Sequence, residues 1–132
     1  MSISAGIVSI SQGRLVRHVG LGLVNQVFDR TSLEKVRGRV SIGHVRYSTS
    51  GSTTIVNSQP LLFSYAGGQV AVAHNGNLIN ASLLRRAYED VGHIFQTTSD
   101  TEVIIHLLAK PTHREKSDPL AHVLNHLQGA YS

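Results

Sequence analysis

The chain has 132 residues, 41% hydrophobic and 15% charged, with a formal charge of +4. That is enough for one domain with a real core and ordinary for a water-soluble globular chain. It contains no cysteine, which excludes disulfides, a thiolate metal site and a cysteine nucleophile within these residues. No apolar run is long enough to span a bilayer, and the opening MSISAGIVSI lacks the basic start and long apolar stretch of a secretion signal. A cytoplasmic protein is expected. The arginines are scattered and aromatics make up 5%, so neither nucleic acid nor membrane is expected as a partner.

In chain order, AGIVSI (5–10) reads as a buried strand, SQG (11–13) as a turn, and residues 14–18 as the returning strand. The glycine-punctuated VGLGLVNQVF leads into a short helix around 24–28. In TSLEKV, Thr31 with Glu34 three residues later predicts a capping box. RVSIGHVRYS (39–48) alternates like a strand, and TSGSTT (49–54) is a polar loop. Residues 61–65 and 69–73 form a hairpin joined at Gly67-Gly68. Asn80 is placed as the cap of a helix running to Val91, with Gly92 as its stop. Ser99 and Glu102 are read as a second capping box before the apolar VIIHLLA. Asp118-Pro119 starts a last helix through Leu127, ended by Gly129. The closing GAYS reads as the start of a strand with nothing after it to pair. Strands followed by helices, joined mostly by hairpins, predict an α+β fold with antiparallel sheets.

Three stretches carry chemistry. In AHNGNLIN (73–80), Asn75-Gly76 is a strong hairpin signal, yet no full return strand follows. The alternative is that the Asn75 amide and the Gly76 N–H face one spot as oxyanion donors, each contributing roughly 3 kcal/mol in acyl transfer. Glycine would let substrate approach the backbone. In GHVRYSTSG (43–51), Arg46 offers a planar fork to a carboxylate, with hydroxyls from Tyr47, Ser48, Thr49 and Ser50 around it. In TTSDTEVI (97–104), Asp100 lies at a helix start where the dipole favours its ionised form, suited to a substrate ammonium. Arg46 and Asp100 together would grip a free α-amino acid. His122 and His126 have the four-residue spacing of a two-histidine metal site. His106 and His113 read as isolated and no third ligand is apparent, so ordinary histidines, and no metal, are expected.

GHVRYSTSG, NSQP (57–60), AHNGNL (73–78) and TTSDTEVI form an ordered set. Together they resemble the glutaminase domain of the amidophosphoribosyltransferases, class II glutamine amidotransferases with the N-terminal-nucleophile hydrolase fold. GLGLVNQVF and GAYS fit the same family, and the resemblance runs from about Ser4 to the end. It implies a four-layer α-β-β-α sandwich of antiparallel sheets, incomplete here, with residues 1–132 a partial type 2 glutamine amidotransferase domain. It also implies Arg46 on the α-carboxylate of glutamine, Asp100 on its α-amine, Asn75 and Gly76 as the oxyanion hole, and Thr49 and Ser50 lining the pocket.

By the same resemblance, the complete enzyme passes ammonia to a phosphoribosyltransferase domain, absent here, that uses Mg2+. There ammonia displaces pyrophosphate to give phosphoribosylamine, in an enzyme expected to be a homo-oligomer. No cofactor is expected for these residues themselves. The glutaminase of glucosamine-phosphate synthase is the rival, but it prefers tryptophan at Tyr47 and histidine at Ser50 and Gln59. A non-catalytic amino-acid-binding module is a further alternative.

The family's nucleophile is an N-terminal cysteine whose α-amine serves as base. Ser2 is rejected as its substitute on register, because SAGIV (4–8) followed by GLGLV matches the family's second strand. The expectation is a piece lost at both ends, holding the pocket without the attacking group and inactive alone.

Overall fold

The computed structural model describes residues 2–48 and 54–132, which group into two compact units. Thr49 and Ser50 therefore lie outside the described residues.

The first unit comprises Met1–Phe63 with Gln69–Ala73. Strands β1 (Ser2–Ser11) and β2 (Arg14–Leu21) pair antiparallel, with Ser11 opposite Arg14. The two residues between them, Gln12 and Gly13, have φ of 52° and 76°. Positive φ at both positions matches the right-handed twist of a hairpin. β3 (Ser41–Ser48) pairs with the other edge of β1, giving the order β2-β1-β3. As the middle strand, β1 satisfies its backbone on both sides and buries Ser4, Ala5, Val8 and Ser9. β3 presents Ile42, Val45 and Tyr47 to solvent.

Two short helices follow β2, α1 (Val24–Val27) and α2 (Arg30–Lys35). The capping box of α2 forms two residues earlier than expected. Asp29 accepts from the Ser32 N–H at 2.7 Å, and Ser32 Oγ accepts from the Asp29 N–H at 2.8 Å. The bonds from Ser32 hold the Asp29 carboxyl below its ordinary value. Thr31 consequently falls inside the helix, and Glu34 meets exposed Arg37 at 3.6 Å. Arg17 of β2 anchors the NSQP segment: its guanidinium donates to the carbonyls of Pro60 at 2.7 Å and Ser58 at 2.6 Å.

Strands β4 (Leu61–Tyr65) and β5 (Gly68–Val72) form the expected hairpin. The second unit takes its tip, Ser64–Gly68, and then His74–Ser132. The core of this unit is α4 (Thr101–Ala109), where Thr101, Glu102, Val103, Ile104, Ile105 and Leu107 are all buried. The unbroken apolar run explains burial around most of the helix. Leu78, Ala81, Val123 and Leu127 complete the core. The other helices are α3 (Ala81–Asp90), α5 (Pro111–Arg114) and α6 (Pro119–Leu124). Asp118 caps α6 as expected, accepting from the Ala121 N–H at 3.0 Å, but the helix stops at Leu124.

The strand expected at the terminal GAYS forms, and its partner is an earlier one: β7 (Gly129–Tyr131) lies antiparallel to β6 (Gly76–Leu78). One expectation is corrected in this unit. Asn80 makes no cap bond to α3. Its amide instead donates to the His126 carbonyl at 2.8 Å and accepts from the Gln128 N–H at 2.9 Å. Bridging a turn with both ends of the amide satisfies two backbone groups, where capping would satisfy one. Among the described residues, no helix is long and apolar enough to cross a membrane.

Candidate functional site

The second unit builds its site on the outer edge of β6. Asn75 and Ser132 exchange both backbone hydrogen bonds, at 3.1 and 2.8 Å. Hydrogen-bonded and non-hydrogen-bonded pairs alternate along an antiparallel ladder. The next pair, Gly76 opposite Tyr131, is therefore non-hydrogen-bonded. The N–H groups of Gly76 and Leu78 consequently point away from β7. Leu78 donates its N–H to Asp100 Oδ2 at 3.3 Å. So Asp100, from the start of α4, and Gly76 share one edge, with the Asp100 side chain 34% exposed.

Glycine at 76 has a structural reason beside the one expected from substrate approach. Its φ is 140°, and a Cβ there would lie 2.1 Å from the Ala130 carbonyl oxygen. Close passage of β7 already forbids a side chain, whatever binds on the opposite edge. Gly129 of β7, opposite Leu78, is under the same restriction: its Cβ would lie 2.2 Å from the Asn77 carbonyl oxygen.

Asp100 is positioned by residues the sequence did not single out. His74 is buried, with Nδ1 3.3 Å from Thr101 Oγ1 and 4.0 Å from Asp100 Oδ1. Arg85 of α3 donates to the carbonyls of Thr97 at 3.0 Å and Ser99 at 2.7 Å, and its guanidinium sits 4.2 Å from the Phe95 ring centre. Glu102 was expected to cap α4 at Ser99. It reaches further back, accepting from the N–H groups of Gln96 and Thr97, each at 2.8 Å, and from the Thr97 hydroxyl at 2.7 Å. Ser99 does receive a helix-start donor, the Thr101 N–H at 3.2 Å. Burial pushes the Glu102 carboxyl upward, but the bonds from Gln96, Thr97 and His106 outweigh it, leaving the group below its ordinary value. His106 is not isolated either. It stacks on Phe95 with ring centres 3.9 Å apart and meets Glu102 at 3.4 Å. Burial, with His93 and Arg85 nearby, keeps His106 below its ordinary value despite Glu102. No local spacing announces Arg85, because its partners lie 12 and 14 residues away. His74 stood within the noticed motif but had no assigned partner.

Arg46 belongs to the first unit. It is half-buried on β3 and opposite Ser4 of β1. Directly opposed residues share a sheet face. Ser4 is buried, and its Oγ has no hydrogen-bond partner among the described residues. This strand end thus carries both a guanidinium and an unsatisfied hydroxyl. Tyr47 is exposed.

Chemically, the edge of β6 offers an acceptor for an ammonium group at Asp100 and a donor for an oxyanion at Gly76. Alternate residues along a strand are separated by about 7 Å. That spacing is comparable to an extended glutamine measured from its amine to its amide oxygen.

Comparison with known proteins identifies the family. The glutamine amidotransferase domain family matches residues 44–132. The chain is 47% identical to an amidophosphoribosyltransferase of Bacillus subtilis, over 97% of this chain and 27% of that protein. It is 45% identical to an amidophosphoribosyltransferase of Methanothermobacter thermautotrophicus, over 98% of this chain and 28% of that protein. A solved structure described as the allosteric regulatory enzyme of purine biosynthesis superposes with a TM-score of 0.86 at 43% identity, covering 98% of this chain and 28% of that one. The α+β fold read from the sequence, of the N-terminal-nucleophile hydrolase class, is therefore present. The chain spans between a quarter and a third of the length of these relatives. By the match over residues 44–132, the chain belongs to the glutamine amidotransferase domain family.

Proposed function

We propose that the chain holds the glutamine site of an amidophosphoribosyltransferase, in which ammonia from glutamine displaces pyrophosphate from phosphoribosyl pyrophosphate. The observation that carries the reading is Asp100 seated on the same strand edge as the outward N–H of Gly76. Asp100 binds the α-ammonium of glutamine, and the family resemblance assigns Arg46, whose guanidinium suits a two-pronged ion pair, to its α-carboxylate. The family resemblance assigns Thr49 and Ser50 to the same glutamine site. The amide carbonyl is then directed at Gly76 N–H and the Asn75 amide, which stabilise negative charge on oxygen as the carbonyl is attacked. Kinship with proteins named amidophosphoribosyltransferase along 97% of the chain supports the choice within the family. A phosphoribosyltransferase domain that uses Mg2+, in a homo-oligomer, is the remaining part of the proposed enzyme.

The family's nucleophile is a cysteine, and these 132 residues contain none. The chain alone therefore binds glutamine without hydrolysing it. An ammonia-release assay on the pure chain, with and without a cysteine-bearing N-terminal segment added, tests this. Release only in the presence of the segment is expected. Release by the unassisted chain that vanishes in Ser2→Ala would assign the attack to Ser2 and contradict the proposal.

A further inference from the structure

The second unit assembles a cluster of three imidazoles away from Asp100. The sequence offered His122 and His126 at helical spacing and left His113 apart, but the fold brings all three together. One nitrogen from each of His113, His122 and His126 can be chosen so that all lie within 4.8 Å of one another. Ring centres are 4.9 Å apart for His113 with His122, 4.9 Å for His113 with His126, and 5.0 Å for His122 with His126. The rings meet edge-on or tilted and none is stacked face to face on another.

Hydrogen bonding decides which nitrogens are left to bind. His113 Nδ1 lies 2.8 Å from the Leu107 carbonyl, and His126 Nδ1 lies 2.9 Å from the His122 carbonyl. A carbonyl only accepts, so each Nδ1 carries the hydrogen and donates it. Each Nε2 is then left with a lone pair. Carbonyl partners of this kind fix the tautomer and orientation of metal-binding imidazoles. His113 is buried and serves as the fixed member, while His126 is exposed and free to adjust.

We propose that His113, His122 and His126 form a binding site for a divalent first-row transition ion of the zinc class. Three neutral nitrogen donors suit zinc, cobalt, nickel or copper and do not suit magnesium or calcium, which require oxygen ligands. In a tetrahedral zinc site with bonds of about 2.1 Å, ligand nitrogens are about 3.4 Å apart. The imidazoles thus need to close by up to about 1.4 Å, within reach of a side-chain rotation at His122 and His126. Water or an exogenous anion occupies the fourth position, because His126 leaves that side open to solvent. The ion joins α5 to the turn after α6. That turn is already held by Asn80 through the His126 carbonyl and the Gln128 N–H. Ion binding therefore stiffens the segment that leads into β7.

The test uses the full chain without an affinity tag, cleared of metal by chelation. Titration calorimetry with Zn2+ should show one saturable site. Co2+ should give the visible absorption of a four-coordinate nitrogen site. Zn2+ should also raise the thermal midpoint. His122→Gln and His126→Gln should each weaken Zn2+ binding by at least about tenfold, and the double variant should abolish it. Because both residues are at least partly exposed, the metal-free variants should melt close to the parent, which separates loss of ligation from loss of fold. No saturable Zn2+ uptake by the parent, or undiminished uptake by the folded double variant, overturns the proposal.

Discussion

Arg85 and Glu102 hold the same short segment by its opposite polarities. The guanidinium takes the carbonyls of Thr97 and Ser99, while the carboxylate takes the N–H groups of Gln96 and Thr97. A segment without secondary structure is thereby fixed on both sides, and Asp100 is its next residue. Backbone groups near a core must find partners, and here two charged side chains from flanking helices supply them. The carboxylate proposed for substrate recognition owes its placement to this pair.

Glu102→Ala should therefore be costly. It removes the hydrogen bonds that a buried carboxylate accepts from Gln96, Thr97 and His106 and strands their donors, and a loss of about 3 kcal/mol is expected in chemical denaturation. Arg85→Ala should cost less stability, since the arginine is half-buried, but should still lower glutamine affinity by releasing Ser99 and Asp100. Unchanged stability in Glu102→Ala would mean that the segment is held by something else.

Acid sensitivity should follow from His106 and Glu102. Both have folded values below their ordinary ones, so the unfolded chain binds protons more readily. Each contributes stability above its ordinary value that is lost as the pH falls through the folded one. Urea midpoints should be steady near neutrality, decline as the pH drops below about 6.5, and decline again below about 4.3. His106→Gln should shrink the first decline. A first decline of full size in that variant would contradict the assignment.

Gly76→Ala should destabilise the second unit by about 2 kcal/mol or more, because the added methyl meets the Ala130 carbonyl at 2.1 Å with φ at 140°. Relief requires β6 and β7 to separate, which also shifts the N–H edge, so glutamine binding should weaken in parallel. A variant with the parent's denaturation midpoint would show that the two strands are not this close.

Asn80→Ser distinguishes a helix cap from a bridge. Serine is as good a cap as asparagine, so a capping role predicts little change. The bridge to His126 and Gln128 needs both ends of an amide, and its loss should cost about 1–2 kcal/mol. A neutral outcome in thermal unfolding would restore the capping role.

The features legible in the sequence are those whose determinants are close together in the chain. The β1–β2 hairpin follows from alternating apolar residues around Gln12-Gly13, and α4 follows from the apolar run after Ser99. Asp118 and Pro119 mark the start of α6 by themselves. The features that were not legible depend on distant partners. β7 pairs with β6 from more than fifty residues away, and no three-residue strand announces its mate. Glu102 and Asn80 both sat at positions that local rules assign to capping, and tertiary partners with more bonds to offer took them instead. His113 joins His122 and His126 only because α5 folds back beside α6. Asp100 and Gly76 were read from residue type and motif; their shared strand edge, and the clamp behind it, needed the fold.

The most direct measurement is titration calorimetry of L-glutamine into the parent chain, Arg46→Ala and Asp100→Asn. The parent should bind at a single site, and each variant should lose at least about tenfold in affinity, the worth of one charge-assisted contact. A parent that does not bind glutamine, or variants that bind it as tightly as the parent, would contradict the assignment of these two residues to the amino-acid site.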